Sequence, residues 1–307
     1  MQTQTETLPR RSGLPRLRLS YRLRIRAWGI AFVLPAIFFF AFFKYGPMLW
    51  AFWLSFTSYD MVGTPRLVGF DNFTSIVHDP VFIGALNNTL FYIAGSTALI
   101  TLIALLLALA VSQRVPGSRA YMSGMFLSNV MPIVAVCLVW RFLLHPHGFV
   151  NQMLSPLGFG RIDWLTDTSL AMPAIIGVTV WRFAPYFMVV FVAAIVAIPS
   201  EFYEAAEIDG AARWGRFRYI TIPLIMPQVF FVIVVSALLS ARIFLMPFLI
   251  TGGGPGGATR VLSMLVYETG FSYMKMGRAA AISMALFAIA MVFTVLQMWL
   301  FMRGEED

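Results

Sequence analysis

Long apolar runs separated by short polar stretches occupy almost the whole chain. They extend from about Ala27 to Phe56, Asn88 to Val111, Ala120 to Leu144, Ser169 to Ile198, Ile222 to Ile250 and Arg278 to Met302. A helix that crosses a bilayer needs ~20 apolar residues, so the pattern predicts an all-α membrane protein with six spans. Lys44 and Gly46-Pro47 interrupt the first run. It is too long for one upright span and too short for two, which predicts one helix that tilts or kinks near Pro47. Pro132 lies inside the third run, and Pro223 and Pro227 open the fifth. The intervening stretches 59–83, 112–117, 145–168 and 251–277 read as loops.

One polar stretch differs from the others. Residues 199–227, PSEFYEAAEIDGAARWGRFRYITIPLIMP, form a charged island between two apolar runs. Its first half is acidic (Glu201, Glu204, Glu207, Asp209) and its second half basic (Arg213, Arg216, Arg218). Ser200 is the expected N-cap of a short helix, with Glu201 and Glu204 in a first turn where the dipole favours negative charge. Gly210 is expected to end that helix in a left-handed turn, and Ala211 to Arg218 to start a second. Small residues (Ala205, Ala206, Ala211, Ala212) would let another protein approach this elbow closely.

Composition agrees with a bilayer as the solvent: 59% of the residues are hydrophobic, 12% are charged, and the mean hydropathy is +0.79. The single cysteine, Cys137, excludes an intrachain disulfide and a thiolate metal cluster. The net charge of +8 does not point to nucleic acid. Arg10, Arg11, Arg16, Arg18, Arg22, Arg24 and Arg26 crowd the amino terminus, as in a cytoplasmic flank beside anionic lipid. With this segment inside, Arg114, Arg119, Arg213, Arg216, Arg218 and Arg303 are inside too. The outer loops keep only Arg66, Arg161, Arg260 and Lys275. The positive-inside rule therefore predicts a multi-pass protein of a bacterial-type cytoplasmic (inner) membrane with both termini in the cytoplasm. Its parts are a basic segment 1–26, a transmembrane domain 27–302 with the elbow at 199–218, and a tail 303–307. The first run is too long for a cleavable signal peptide.

All fourteen acidic residues and the three histidines (His78, His145, His147) fall outside the six runs. Proton-driven carriers and intramembrane metalloenzymes need such groups within the membrane. The energy for transport is then expected from outside the chain. Gly252 to Gly257, GGGPGG, is no phosphate cradle, because no Gly-Lys-Ser/Thr follows and Pro255 interrupts it. Arg182 and Arg242 are cations within predicted spans, so each is expected to face a helix bundle or a wet cavity.

The elbow carries Glu204-Ala205-Ala206, Asp209-Gly210-Ala211 and Phe217-x-x-Ile220-Thr221-Ile222-Pro223. This resembles the EAA loop of binding-protein-dependent ABC importer permeases, most closely the carbohydrate branch typified by the maltose permease, with Ile222 where leucine is usual. The segment 68–82, Ala85 to Thr89, Trp140-Arg141, Gly148, Asn151, Trp164 and Thr251 to Pro255 also fall where that branch has them. The resemblance implies a type I importer permease whose elbow is a cytoplasmic coupling helix, with Glu204, Ala205, Ala206, Asp209, Gly210 and Ala211 engaging the ATPase. Implied partners are a second homologous permease, a dimer of ATP-binding subunits and an extracytoplasmic solute-binding protein. No cofactor is implied in this chain, since ATP and Mg would sit on the partner ATPase.

By the same resemblance, Thr179, Trp181, Arg182, Phe183 and Tyr186 line the substrate path, with Ser236, Ser240 and Ile243 facing them. Aromatic faces and hydroxyls suit a sugar. Thr179 replaces an amide and Phe183 a glycine of the maltose case, so the cargo need not be maltose. Two readings stay open: these residues line the path, or they pack helices together with Arg182 paired to a backbone carbonyl. Two rival functions are the same importer class carrying glycerol 3-phosphate, with Arg182 as its anion contact, and an ion-coupled carrier.

Overall fold

The computed structural model describes residues 21–112 and 117–304. The basic segment up to residue 20, the turn 113–116 and residues 305–307 lie outside the described residues. The chain divides into two units, Met1–Ala51 and Phe52–Asp307.

The described residues of the first unit are helical throughout and mostly apolar. Helix α1 (Tyr21–Phe40) runs through a π-helical turn (Ala41–Tyr45) into α2 (Gly46–Leu54). The interruption falls just before the expected position. Pro47 has no N–H to offer the preceding turn, and the Gly46 amide bonds the Ala41 carbonyl five residues back. Phe32, Phe38 and Phe42 are exposed, as in a helix whose surroundings are lipid.

The second unit is built around α4 (Pro80–Ser112) and α8 (Ala171–Val196), which pack along one another. α12 (Met226–Ala241) lies against α4, and α5 (Ser118–Val130) against α8. Tyr92 on α4 and Phe187, Met188 and Phe191 on α8 are fully buried in this core. The second run is longer than expected, because α4 begins at Pro80 and takes in residues 80–87.

The third and fifth runs are not single rods. α5 stops at Val130 and α6 (Ile133–Leu143) leaves at an angle of 98°. Pro132 drives the preceding Met131 into extended backbone, where its ψ is 138°, and the helix cannot continue. The fifth run breaks at Ile225, between Pro223 and Pro227, with a bend of 65°, and again after Ala241 before α13 (Leu245–Ile250). α15 (Met276–Gly304) is continuous. Among the described residues, four helices are long and apolar enough to cross a membrane, or up to six if each bent pair counts as one span.

The loops are more ordered than their polarity predicts. Thr57–Ser58 and Arg66–Leu67 form a two-stranded hairpin (β1, β2), and α3 (Asp71–Val77) follows. The Asn72 amide donates to the carbonyls of Ser55 and Thr57, both at 2.9 Å. In the loop around α7 (Phe149–Leu154), Asn151 donates to the carbonyls of Pro146 and Ile162, and its oxygen accepts the indole N–H of Trp164. Asp167 accepts hydrogen bonds from the hydroxyl and amide of Ser169 just before α8, which hold its carboxyl below the usual range. That turn keeps its bonds at neutral pH and loses them only as pH falls through the lowered value.

A β-carbon on Gly277 would collide with the Thr57 carbonyl oxygen, and would stand 3.0 Å from the Thr57 carbonyl carbon and 3.3 Å from the Tyr59 amide nitrogen. Every neighbour is backbone, so nothing can swing aside. Gly277→Ala should cost about 1–3 kcal/mol, the range for forced overpacking, read as a lowered unfolding temperature of the purified protein.

Candidate functional site

The elbow forms where the sequence places it. α9 (Ser200–Ile208) ends at Asp209, and Gly210 adopts φ +77°. The Gly210 amide donates to the Glu207 carbonyl at 3.1 Å and the Ala211 amide to the Ala206 carbonyl at 2.8 Å. This pair of bonds is a Schellman cap. α10 (Arg213–Arg216) then passes through a π-helical turn (Phe217–Thr221) into α11 (Ile222–Leu224), so the second helix starts two residues later than expected and continues past Arg218. Two details of the start are corrected. Pro199 holds the cap position with φ −59° and ψ 138°, where its missing N–H costs the helix no hydrogen bond. Ser200 is already helical and makes no side-chain cap bond. Only Glu201 lies in the first turn; Glu204 comes one turn later.

Two contacts brace the elbow. Arg216 donates to Glu207 at 3.1 Å, and the hydroxyls of Tyr203 and Thr221 meet at 3.0 Å. Its outer surface is uncovered: Glu204, Ala205, Asp209 and Gly210 are exposed, and so are the apolar Ile208 and Trp214.

Arg182 is 9% exposed, and its guanidinium is directed at the end of α5. Nη1 donates to the carbonyls of Ser128 (3.1 Å) and Met131 (3.0 Å), and Nη2 reaches that of Asn129 at 3.5 Å. The Asn129 amide in turn donates to the Arg182 carbonyl at 2.7 Å. The break at Pro132 leaves the last carbonyls of α5 without helical donors, and a cation suits that negative end of the dipole. Of the two open readings, the one with the guanidinium on backbone carbonyls describes this geometry. Arg242 occupies a similar place as the exposed residue that follows α12, and Arg141 is exposed near the end of α6.

Thr179, Phe183, Ser236, Ser240 and Ile243 come together around a cavity of about 60 Å³, with Tyr92, Ile100, Phe187 and Leu239 completing the wall. Tyr186 is half exposed, beyond that wall. Trp181 lies elsewhere, with its ring edge-on to Trp140 at 5.4 Å. Helical geometry separates them: at 100° per residue Thr179, Phe183 and Tyr186 share a face, and Trp181 points the opposite way.

The cavity is lined by hydroxyls that satisfy one another. Tyr92 and Thr179 meet at 2.6 Å, Ser96 donates to Ser240 at 2.8 Å, and Thr179 also bonds the Ile175 carbonyl. At ~30 Å³ per water the space suits solvent rather than a sugar, since small-molecule pockets run to about 300–1,000 Å³. Tyr92 and Ser96 are absent from the sequence reading, although their signal is visible. Asn88, Tyr92 and Ser96 recur every four residues through an apolar helix, which places one polar stripe on its buried face.

The same stripe fixes the glycine loop. Asn88 donates to the carbonyls of Gly257 (2.8 Å) and Arg260 (2.9 Å), and the Thr89 hydroxyl accepts the Leu262 amide, the first of α14 (Leu262–Tyr267). Gly252, Gly253, Gly256 and Gly257 all have positive φ, which accounts for the glycine run as a turn.

Residues 100–303 match the profile of the family described as binding-protein-dependent transport system inner membrane component. The chain belongs to this family. The probable ABC transporter permease protein YurN of Bacillus subtilis is 31% identical over 282 residues, covering 90% of this permease and 96% of YurN. The diacetylchitobiose uptake system permease protein NgcF of Streptomyces coelicolor is 33% identical over 250 residues, covering 75% of this chain and 69% of its own. Among solved structures, a chain of a bacterial ABC transporter that imports the acidic polysaccharide alginate superposes with a TM-score of 0.80 at 27% identity. It covers 92% of this chain and 98% of that one. The alginate transporter has also been solved in complex with a pentasaccharide-bound periplasmic protein. This protein is thus a helical, membrane-embedded permease subunit of an ABC importer with the type I permease fold, and not an ion-coupled carrier.

Proposed function

We propose that this permease forms half of the translocation pathway for a di- or oligosaccharide and draws its work from a separate ATPase through the elbow. The observation that carries the reading is the elbow's construction. A Schellman cap and an ion pair hold it rigid, yet nothing among the described residues covers Glu204, Ala205, Asp209, Ile208 or Trp214. A braced, uncovered protrusion with acidic and apolar faces is suited to docking. Glu204 meets a basic group of the ATPase, Ala205, Ala206 and Ala211 allow close approach, and Gly210 sets the angle between the two arms. Closure of the ATPase dimer on ATP and Mg, held by that partner, would draw two such elbows together and rock the helices. Each bent pair counts as one span, which gives six, with the elbow and both termini in the cytoplasm.

The sugar reading rests on the saccharides named for NgcF and the alginate importer and on the lining of the cavity. Thr179, Phe183, Ser236, Ser240 and Ile243 form this subunit's half of the path, and a second, similar permease contributes the rest. Tyr186, on the same face of α8, joins the wall when the helices rock, Trp181 could meet cargo only from the opposite face, and Arg182 supports the path from behind. Glycerol 3-phosphate is the weaker reading, because the guanidinium proposed to hold its phosphate is already engaged by three carbonyls. A solute-binding protein delivers the cargo to the outer loops at 59–83, 145–168 and 251–277.

The test is co-purification with the partner permease and ATPase, followed by ATPase assay with the sugar-loaded binding protein. Stimulation by the loaded protein is expected. Uptake that survives loss of the ATPase would overturn the proposal.

A further inference from the structure

A cleft of about 600 Å³ opens where the elbow meets the ends of α4 and α8, well within the size range of ligand pockets. Its lining combines polar residues (Arg213, Arg216, Ser112, Ser200, Tyr203 and Thr221) with an apolar part (Leu109, Ile195, Val196, Ile198 and Phe217). Among the described residues no carboxylate lines it. Arg216 is paired with Glu207, but no ion pair is found for Arg213. The lining therefore keeps a net positive charge. Helices α4 and α8, both long and apolar enough to cross a membrane, end here, which would put the cleft near the level where lipid phosphates meet water.

From this arrangement we infer a binding site for the headgroup of an anionic phospholipid. Arg213 and the hydroxyls would hold the phosphate, and the first part of an acyl chain would lie along Ile195, Val196 and Phe217. A free phosphate would use the arginines but has no need of the apolar part, which is why the lipid is the occupant chosen. A lipid seated there would touch both the spanning helices and the elbow, so its retention would depend on the angle between them. The inference requires only that the chain spans a membrane, and it stands whether or not the cargo is a sugar.

The experiment is native mass spectrometry of the full chain in its assembled transporter. The complex is released from nanodiscs that contain equal parts of phosphatidylglycerol and phosphatidylcholine. Preferential retention of phosphatidylglycerol is expected, falling about fivefold in Arg213→Ala, the equivalent of one basic residue's attraction to an anionic surface. Arg213→Lys should keep most of the retention. Arg218→Ala, an exposed arginine outside the cleft, should keep all of it. Equal retention of the two lipids overturns the inference, as does an equal loss in Arg213→Ala and Arg218→Ala. Displacement of the lipid by millimolar inorganic phosphate would also overturn it, because the apolar part would then contribute nothing. A failed assembly of Arg213→Ala leaves the comparison of lysine with wild type, and the comparison of the two lipids in the wild-type protein, to decide the matter.

Discussion

Gly210→Val should reduce uptake to background while the transporter still assembles and its ATPase still turns over. The backbone at this position has φ +77°, and a β-carbon built there meets nothing within 4 Å. The penalty is therefore conformational rather than steric. A left-handed backbone costs an ordinary residue about 1–2 kcal/mol and a β-branched one more. The Schellman cap depends on that conformation, since the amides of Gly210 and Ala211 close onto Glu207 and Ala206 only when the chain reverses there. Valine would straighten or melt the end of α9 and change the angle between the arms. Gly210→Asn is the comparison, because asparagine tolerates the left-handed region, and it should retain most of the uptake. Transport into proteoliposomes, measured beside ATP hydrolysis, reads both quantities. Normal uptake by the valine variant would remove the elbow from the coupling pathway.

Arg182→Leu should remove the folded permease from the membrane rather than produce an assembled but inactive transporter. Leucine leaves the carbonyls of Ser128, Asn129 and Met131 without a donor inside the bundle. Each buried polar group left unpaired costs about 1–3 kcal/mol. Arg182→Lys should be intermediate: it keeps the charge at the negative end of α5 but loses the planar fork that reaches several carbonyls at once. The measurement is the amount of monodisperse complex in detergent, together with its unfolding temperature. If Arg182→Leu assembles normally and loses only the transport of a phosphorylated cargo, Arg182 is a substrate contact after all.

The two variants illustrate how differently residues in this chain reveal themselves. Gly210 is legible from its neighbours: an amphipathic charged stretch, then glycine, then a second such stretch, all within the contiguous residues 199–218. Local rules of helix capping are enough to place it. Arg182 is not legible in that way. Its partners lie more than fifty residues earlier, at a helix end created by Pro132, a proline that the sequence shows only as lying inside the third run. The same holds for Tyr92 and Ser96, whose spacing is visible but whose partners, Thr179 and Ser240, lie on other helices. Trp181 shows the opposite case. A run of matching residues groups it with Thr179 and Phe183, but a helix turns 100° per residue and places it on the far face.

By itself, the sequence determined that this is a membrane-embedded helical protein, where its apolar runs lie, and that a capped, charged elbow joins the fourth to the fifth. Hydropathy, charge asymmetry and capping are local properties, satisfied or violated within a few turns of chain. Only the tertiary structure decided that the third and fifth runs break and that Arg182 fills the carbonyls exposed by the first break. It likewise decided that Asn88 and Thr89 hold the glycine loop and that Thr179 and Ser240 close on Tyr92 and Ser96. Apart from the breaks, which the prolines impose locally, each of these depends on which polar group comes within about 3.5 Å of another across tens of residues or more than a hundred. In an apolar interior, where water cannot substitute, that proximity decides which polar side chains can be buried.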